Sequence, residues 1–225
     1  MLSLVDPNVN NAVSLLGWSG EQSDAIGRDY LMIVDSNLGN KSNSSIRRQV
    51  IYDADIQSDQ SVASRTTVLY DYPASVASSD PAVNEEYHGR LDYNNLLQVF
   101  VPFNTTLIQT TGDILNESLI NNATNSQIVG DVRVPFDTSV RVQFAYNTQG
   151  VVQSMGEFER YQLVIQKQPG MRAELVNVQV TLPPDAVVVS TSPEPVASYS
   201  IGRPILEFRF EMSSDQEIEV VFAEN

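Results

Sequence analysis

The chain contains no cysteine and a single histidine, His88, in 225 residues. The lack of thiols excludes disulfides, iron–sulfur sites and thiol catalysis. A zinc site needs three or four ligands, which here would have to be mostly carboxylates, and we expect none. His88 lies in the polar sequence EEYHG. Because a general base also needs a nucleophile and an orienting acid nearby in space, His88 is interpreted as a solvated loop residue.

Basic residues are also scarce: the two lysines are Lys41 and Lys167, and the net charge is −15. Proteins bind nucleic acid or anionic membranes through clustered lysine and arginine side chains. We therefore expect no nucleic-acid partner and no membrane contact by this segment. Acidity of this size favours solubility and weak cation binding.

Long apolar runs are missing as well. No stretch approaches the ~18 apolar residues of a membrane-spanning helix. The start, MLSLVDPNVNN, has neither the basic nor the apolar region of a signal peptide. If the natural protein is exported, we expect its export signal on a part that is absent here.

The sequence pattern predicts an all-β fold with one short helix. The helix is expected in DPNVNNAVSLLGWSG, where apolar residues recur at helical spacing before Gly17. About ten segments then alternate apolar and polar residues; in 49–57, Val50, Tyr52, Ala54 and Ile56 share one face. The polar residues 57–60 predict a hairpin to the next strand. Together these features favour an antiparallel β-sandwich, Ig-like or jelly-roll-like.

The number of sandwiches is open from the sequence. Residues 1–36 are interpreted as a short helix and strand left from an upstream domain, and residues 37–150 as a β-sandwich. Residues 151–225 would form a second β-sandwich or the second sheet of the same one. Gly150 marks the expected boundary.

The polar stretch DSNLGNKSN, residues 35–43, is the clearest candidate for a metal site. An EF-hand fails because the glycine comes one residue early and the twelfth position is Ile46. A phosphate loop fails because Asn40, not glycine, precedes Lys41. Two alternatives remain: a looser calcium site formed by Asp35, Asn37 and Asn40, or a hydrogen-bonded Asx turn. No other cofactor is expected.

Two pairs of acids share a strand face: Asp53 with Asp55, and Glu217 with Glu219. Glycosidases use two carboxyls across a cleft, but such pairs are more typical of a solvated face that deters pairing at a sheet edge. The polar segments 73–93 and 111–127 are read as loops and as candidate binding surfaces. Tyr87, His88 and Tyr93, with the Asn-rich residues 121–125, could contact a carbohydrate.

Several motifs in order resemble one bacterial family. They are LVDPNVNNAVSLLGWSG, GRDYLMIVDSNLGNKSN, IRRQVIYDADI, YNNLLQVFVPFNTTL, QLVIQKQPG and VTLPPD. The chain resembles the C-terminal part of the exported family catalogued as domain of unknown function 4012. The resemblance covers most of the chain, but the family's upstream block of the form E-L-R-P-T-G-G-F is absent.

The resemblance implies an extracytoplasmic cell-envelope protein tethered by an upstream transmembrane helix, with no established activity. The missing upstream part is then the expected partner, contacted through Lys41 and either Arg47 or Arg48. We expect a non-enzymatic interaction or spacer module. The alternatives are a module that binds carbohydrate or cell-wall polymer, and the companion half of an envelope-polymer transferase whose active centre lies upstream.

Overall fold

The computed structural model describes residues 6–15, 21–39, 41–77 and 91–224. These residues form two short α-helices, α1 (Pro7–Leu15) and α2 (Ala74–Ala77), one 3-10 turn (Ser42–Ser45) and fifteen strands. The predicted mainly β fold with a short N-terminal helix is confirmed. The strands are β1 (Asp29–Asn37), β2 (Arg47–Ile56), β3 (Val62–Asp71), β4 (Tyr93–Pro102), β5 (Thr106–Gly112), β6 (Ile114–Asn121), β7 (Asn125–Val134), β8 (Ser139–Thr148), β9 (Val152–Met155), β10 (Phe158–Gln166), β11 (Glu174–Thr181), β12 (Val187–Ser192), β13 (Ala197–Tyr199), β14 (Ile205–Met212) and β15 (Gln216–Ala223).

The strands form two sheets that enclose one hydrophobic core. Sheet A has the order β12-β15-β10-β1-β4-β7-β6, with β9 beside the first half of β10. Sheet B has the order β13-β14-β11-β2-β3-β8-β5. One continuous cluster of buried apolar side chains runs from Leu31 to Phe222 and takes residues from both sheets. The architecture is a two-sheet sandwich.

Both sheets are mixed, whereas the sequence predicted antiparallel ones. β1 pairs with β10 in parallel, and β2 pairs with β11 in parallel. The chain passes from sheet A to sheet B after β1 and again after β10, so the pair β1 and β2 runs beside the pair β10 and β11 in the same direction. Alternating burial defines the inner face of a strand but not the direction of its neighbour.

Both sheets combine early and late strands. The late strands β10 and β15 lie in sheet A beside β1, and the late strand β11 lies in sheet B beside β2. Neither 37–150 nor 151–225 forms a sheet by itself, and β1, assigned to a remnant of an upstream domain, is a central strand. Gly150 lies in the turn from β8 to β9, with φ of 74°.

Strand β2 illustrates how the sequence specifies the core. Val50, Tyr52, Ala54 and Ile56 are buried and the residues between them face outward, as predicted. Each large apolar side chain buried in this way contributes roughly 1.5–3 kcal/mol. The predicted hairpin to β3 is also confirmed: the Gln57 N–H donates to the carbonyl of Ser61 at 2.9 Å.

Residues 21–26 cover the middle of the outer face of sheet A. Ala25 packs against the outward side chains of Tyr30 and Met32 on β1. The Ser23 N–H donates to Gln166 Oε1 at 2.9 Å, and Gln166 Nε2 donates to the carbonyl of Glu21 at 2.7 Å. Among the described residues, no helix is both long and apolar enough to cross a membrane.

Candidate functional site

Strand β1 carries a buried aspartate near each end of its inner face. Asp29 is fully buried and Asp35 is 5% exposed. Leu31 and Ile33 lie between them on the same face, because side chains two residues apart point the same way in a strand. The core therefore contains two polar clusters at opposite ends of one strand, here called the Asp35 cluster and the Asp29 cluster.

The Asp35 carboxylate accepts three hydrogen bonds from side chains of both sheets. Arg48 Nη1 donates to Oδ2 at 2.8 Å. The Tyr70 hydroxyl and Asn95 Nδ2 each donate to Oδ1 at 2.6 Å. Buried carboxylates are stable only when charge and lone pairs are satisfied in this way.

Arg48 also holds a second carboxylate. Its Nε donates to Glu174 Oε2 at 2.6 Å and its Nη2 to Glu174 Oε1 at 2.7 Å, the two-pronged geometry that makes arginine–carboxylate pairs strong. Burial disfavours the charged guanidinium, but the nearby charge of Asp35 and the contacts of Glu174 outweigh it, so the pKa of Arg48 lies above its ordinary value. One guanidinium thus ties together β1, β2 and β11.

Gln168 completes this cluster through the backbone of Asp35. The Asp35 N–H donates to Gln168 Oε1 at 2.9 Å, and Gln168 Nε2 donates to the Asp35 carbonyl at 3.0 Å. The side-chain amide therefore continues the parallel pairing of β1 with β10 past its last register pair, Met32 with Gln166. The Asp35 cluster lies where the chain crosses from β1 to β2 and from β10 to β11.

The Asp29 cluster consists of hydroxyl groups and contains no cation among the described residues. The Tyr52 hydroxyl donates to Asp29 Oδ2 at 2.6 Å, and the Tyr161 hydroxyl donates to the same oxygen. The Tyr30 N–H donates to Oδ1 at 2.8 Å. Burial raises the pKa of Asp29 above 3.8, although the three donors counteract it. Burial also raises the pKa of Tyr52 and of Tyr161, and the charge of Asp29 adds to the rise.

Replacing Asp29 with asparagine is expected to change the free energy of unfolding in a pH-dependent way. The variant should become more stable relative to the wild type as the pH rises. The raised pKa means that protonated Asp29 stabilises the fold below pH 3.8 and that this stabilisation is lost as the pH rises through the folded-state pKa. Asparagine cannot lose a proton and keeps an oxygen acceptor. Urea unfolding of both proteins at about pH 4 and about pH 7 measures the difference.

Asp59→Asn is the matched control, because hydrogen bonds from Ser61 lower the pKa of this exposed aspartate. The wild-type carboxylate at position 59 stabilises the fold above pH 3.8 and loses that effect as the pH falls. The Asp59→Asn variant should therefore become slightly less stable relative to the wild type as the pH rises. An equal stability difference between Asp29→Asn and wild type at both pH values would contradict the assignment.

The residues proposed for calcium have protein partners. Asp35 lies in the cluster described above. Asn37 Nδ2 donates to Asn43 Oδ1 at 2.6 Å, and the Gly39 N–H donates to Asn37 Oδ1 at 3.0 Å, which is an Asx turn. Asn40 lies outside the described residues. Within the described part of the chain, no three acidic or histidine side chains are grouped so that they could hold a metal ion. Calcium binding stays a prediction.

The residues proposed for ligand contact are separated by the fold. Lys41 and Arg47 are exposed near the first crossing, while Arg48 is buried. Tyr93 is 1% exposed and packs near Tyr70, so the expectation that it contacts a surface ligand is corrected: it lies on the inner face of β4. Tyr87 and His88 lie outside the described residues.

Two further expectations change. Residues 111–127, read as a loop, form the whole of β6, the end of β5 and the start of β7. The pair Asp53 and Asp55 faces outward on β2, and Glu217 and Glu219 lie on β15, but both strands are interior to their sheets. These acids therefore do not protect a sheet edge.

No family model and no curated protein matches the chain. Among solved structures, it is similar to a proposed nutrient binding protein from Legionella pneumophila, with a TM-score of 0.52, 8% identity and coverage of 88% of this chain and 72% of that one. An M1 zinc metallopeptidase from Deinococcus radiodurans matches with a TM-score of 0.40, 9% identity and coverage of 82% and 43%. Yeast LTA4 hydrolase in complex with bestatin matches with a TM-score of 0.43, 8% identity and coverage of 84% and 30%. At these identities, the first likeness concerns the fold alone.

Proposed function

We propose that this chain is a non-enzymatic, extracytoplasmic interaction module of a bacterial cell-envelope protein. One observation carries the proposal: Asp29, Arg48 and the two tyrosines bonded to Asp29, whose pKa values are raised, are enclosed between the sheets. Ionisable groups with shifted pKa values are typical of catalytic sites when they lie in an open cleft. Enclosed ones stabilise a framework that presents its surfaces to a partner.

The ordered motifs that resemble the exported family support the envelope location, and the missing upstream part of that family is the partner we propose. Lys41 and Arg47 are exposed beside the first crossing and are available for that contact. In this arrangement the sandwich is a rigid platform, and any chemistry of the parent protein belongs to the upstream part.

Incubation of the purified chain with isolated bacterial cell-wall sacculi tests whether the module binds the wall and whether it acts on it. We expect saturable pelleting of the chain with the sacculi and no release of soluble wall fragments. An unrelated protein of similar size and acidity is the control for charge. Repeating the assay in calcium and then in chelator tests the calcium prediction separately. Absence of pelleting would contradict an interaction with the wall, and release of fragments would contradict the non-enzymatic role.

A further inference from the structure

On the outer face of sheet A, several polar side chains bond to one another. On sheet A, Gln127 Nε2 donates to Gln98 Oε1 at 2.7 Å, and Gln98 Nε2 donates to Ser36 Oγ at 3.2 Å. Arg160 pairs with Glu219 at 3.1 Å. Residues 21–26 cover the middle of this face. Sheet A therefore satisfies or covers much of its outer polar surface within the chain.

Sheet B has an open groove across its outer face. One depression of about 470 Å³ and a second of about 310 Å³ share Asp53 and Gln179, so together they cross the central strands. The small side chains Ala63 and Ala145 line the first depression. The other polar side chains lining the groove include Arg65, Asn147, Asn177 and Thr181.

Asp53, in the middle of this groove, has no hydrogen bond within the described part of the chain. Its side chain is 33% exposed, and the nearest cation, Arg65 Nη1, is 3.9 Å away. Its neighbour Asp55, by contrast, accepts a hydrogen bond from Arg203. Burial raises the pKa of Asp53, while Arg65 and Arg141 counteract the rise. A half-buried carboxylate without donors is uncommon, because desolvation is costly unless a partner replaces water.

Two amides also line the groove, Asn147 as an exposed residue and Asn177 as a half-buried one. Within the described residues, the side chains of Asn147 and Asn177 make no hydrogen bond to the protein. Each amide offers two donors and an acceptor, and the Asp53 carboxylate accepts from two sides. The groove thus presents acceptors and donors together, a combination that matches hydroxyl groups, which both donate and accept.

The charge of the groove decides between ligand classes. Its lining carries three carboxylates and two guanidinium groups, and a third guanidinium outside the lining pairs with one of the carboxylates, although the whole chain has a net charge of −15. A balanced groove on an acidic protein does not select a polyanion or a polycation. The carboxylates are Asp53, Asp55 and Glu207, and the guanidiniums are Arg65, Arg209 and the Asp55 partner Arg203.

We infer that the groove on the outer face of sheet B, centred on Asp53, binds a neutral polyhydroxyl chain, that is, a neutral polysaccharide. Asp53, Asn147 and Asn177 bond its hydroxyls, and the methyl groups of Ala63 and Ala145 contact its apolar C–H surfaces. The groove is open, as a polymer requires, since a chain must extend beyond the contacts at both ends. This inference rests on the proposed interaction role and names the ligand class and the face that binds it.

The test is a titration of the ¹⁵N-labelled chain with three neutral hexasaccharides, of glucose, of xylose and of N-acetylglucosamine. We expect at least one to shift the amide signals of β2, β3, β8 and β11, and Asp53→Asn to weaken its binding by about tenfold or more, because a hydrogen bond to a charged group is lost. Ala63→Leu, which fills the groove and removes no polar group, should weaken binding similarly. Thermal unfolding checks that both variants are folded.

Glu217→Gln is the matched control, since Glu217 is an acid on an interior strand of the other sheet and accepts a hydrogen bond from Gln162. It should bind as the wild type does. Equal binding by Asp53→Asn and wild type, shifts confined to other strands, or tighter binding of polylysine than of any hexasaccharide would each overturn the groove assignment. Pelleting with sacculi in that case would leave the proposed interaction role standing. Failure to pellet and to bind any hexasaccharide would remove both the interaction with the wall and the groove assignment.

Discussion

Replacing Arg48 with methionine is expected to lower the free energy of unfolding by about 3–5 kcal/mol at neutral pH. Methionine occupies a similar volume, so the loss isolates the charge and its hydrogen bonds. Without the guanidinium, Asp35 and Glu174 remain as two buried carboxylates with no cation between them. Removing one partner of a buried ion pair is costly because the remaining charge is left uncompensated. Equilibrium unfolding in urea measures the effect.

Arg47→Met is the matched control, one residue earlier on the same strand. Arg47 is exposed and Arg48 is buried, so the two substitutions remove the same group from opposite faces of β2. We expect the control to change stability by at most about 0.5 kcal/mol. Similar losses for the two variants would show that the Asp35 cluster does not hold β1, β2 and β11 together.

Replacing Gly112 with alanine is expected to cost about 3 kcal/mol or more, since backbone strain and overpacking add. Gly112 ends β5 at the passage from sheet B to β6 in sheet A and has a φ of 103°. A Cβ atom there would lie 2.0 Å from the carbonyl oxygen of Arg141, which belongs to the paired backbone of β8 and cannot rotate away. Thermal and urea unfolding of the variant measure the loss.

Gly150→Ala separates the two contributions. Gly150 also has a positive φ, 74°, but a Cβ atom there would meet nothing within 4 Å. This variant carries the backbone strain alone, which is about 1 kcal/mol. If both alanine variants lost the same stability, the contact between β5 and β8 would not be as close as described.

The sequence predicts the inner faces of the strands well, because burial depends on local alternation. Val50, Tyr52, Ala54 and Ile56 are buried as that alternation requires. The parallel neighbours were not predictable in the same way. Arg48 and Glu174 lie 126 residues apart, and no local pattern states that their strands are adjacent.

The edge strand β6 was missed for a related reason. Six of its eight residues are exposed, so it lacks the alternation of buried and exposed positions that marks a strand with one covered face. A polar sequence of this kind is compatible with a loop and with an edge strand. Pairing with β7, which lies outside the local window, determines its conformation.

The two buried clusters do leave a signal in the sequence. Arg48 precedes the buried Val50 by two residues, and Asp29 precedes the buried Leu31 by two residues. Both charged residues therefore point to the inner face of their strand. A charged residue on a predicted inner face requires a partner. The sequence states that requirement, but the partners, Glu174 and Tyr161, come from distant strands.

The interleaving of early and late strands has a kinetic consequence. β1 and β2 are the central strands of their sheets. Their parallel partners, β10 for β1 and β11 for β2, come more than a hundred residues later in the chain. Closing a loop of this length loses conformational entropy before the stabilising contacts between the strands form. Nucleation of the fold is therefore slow. During synthesis, the first 150 residues present the unpaired edges of two central strands, a state prone to aggregation. Both sheets can therefore be completed only after the last third of the chain has been synthesised.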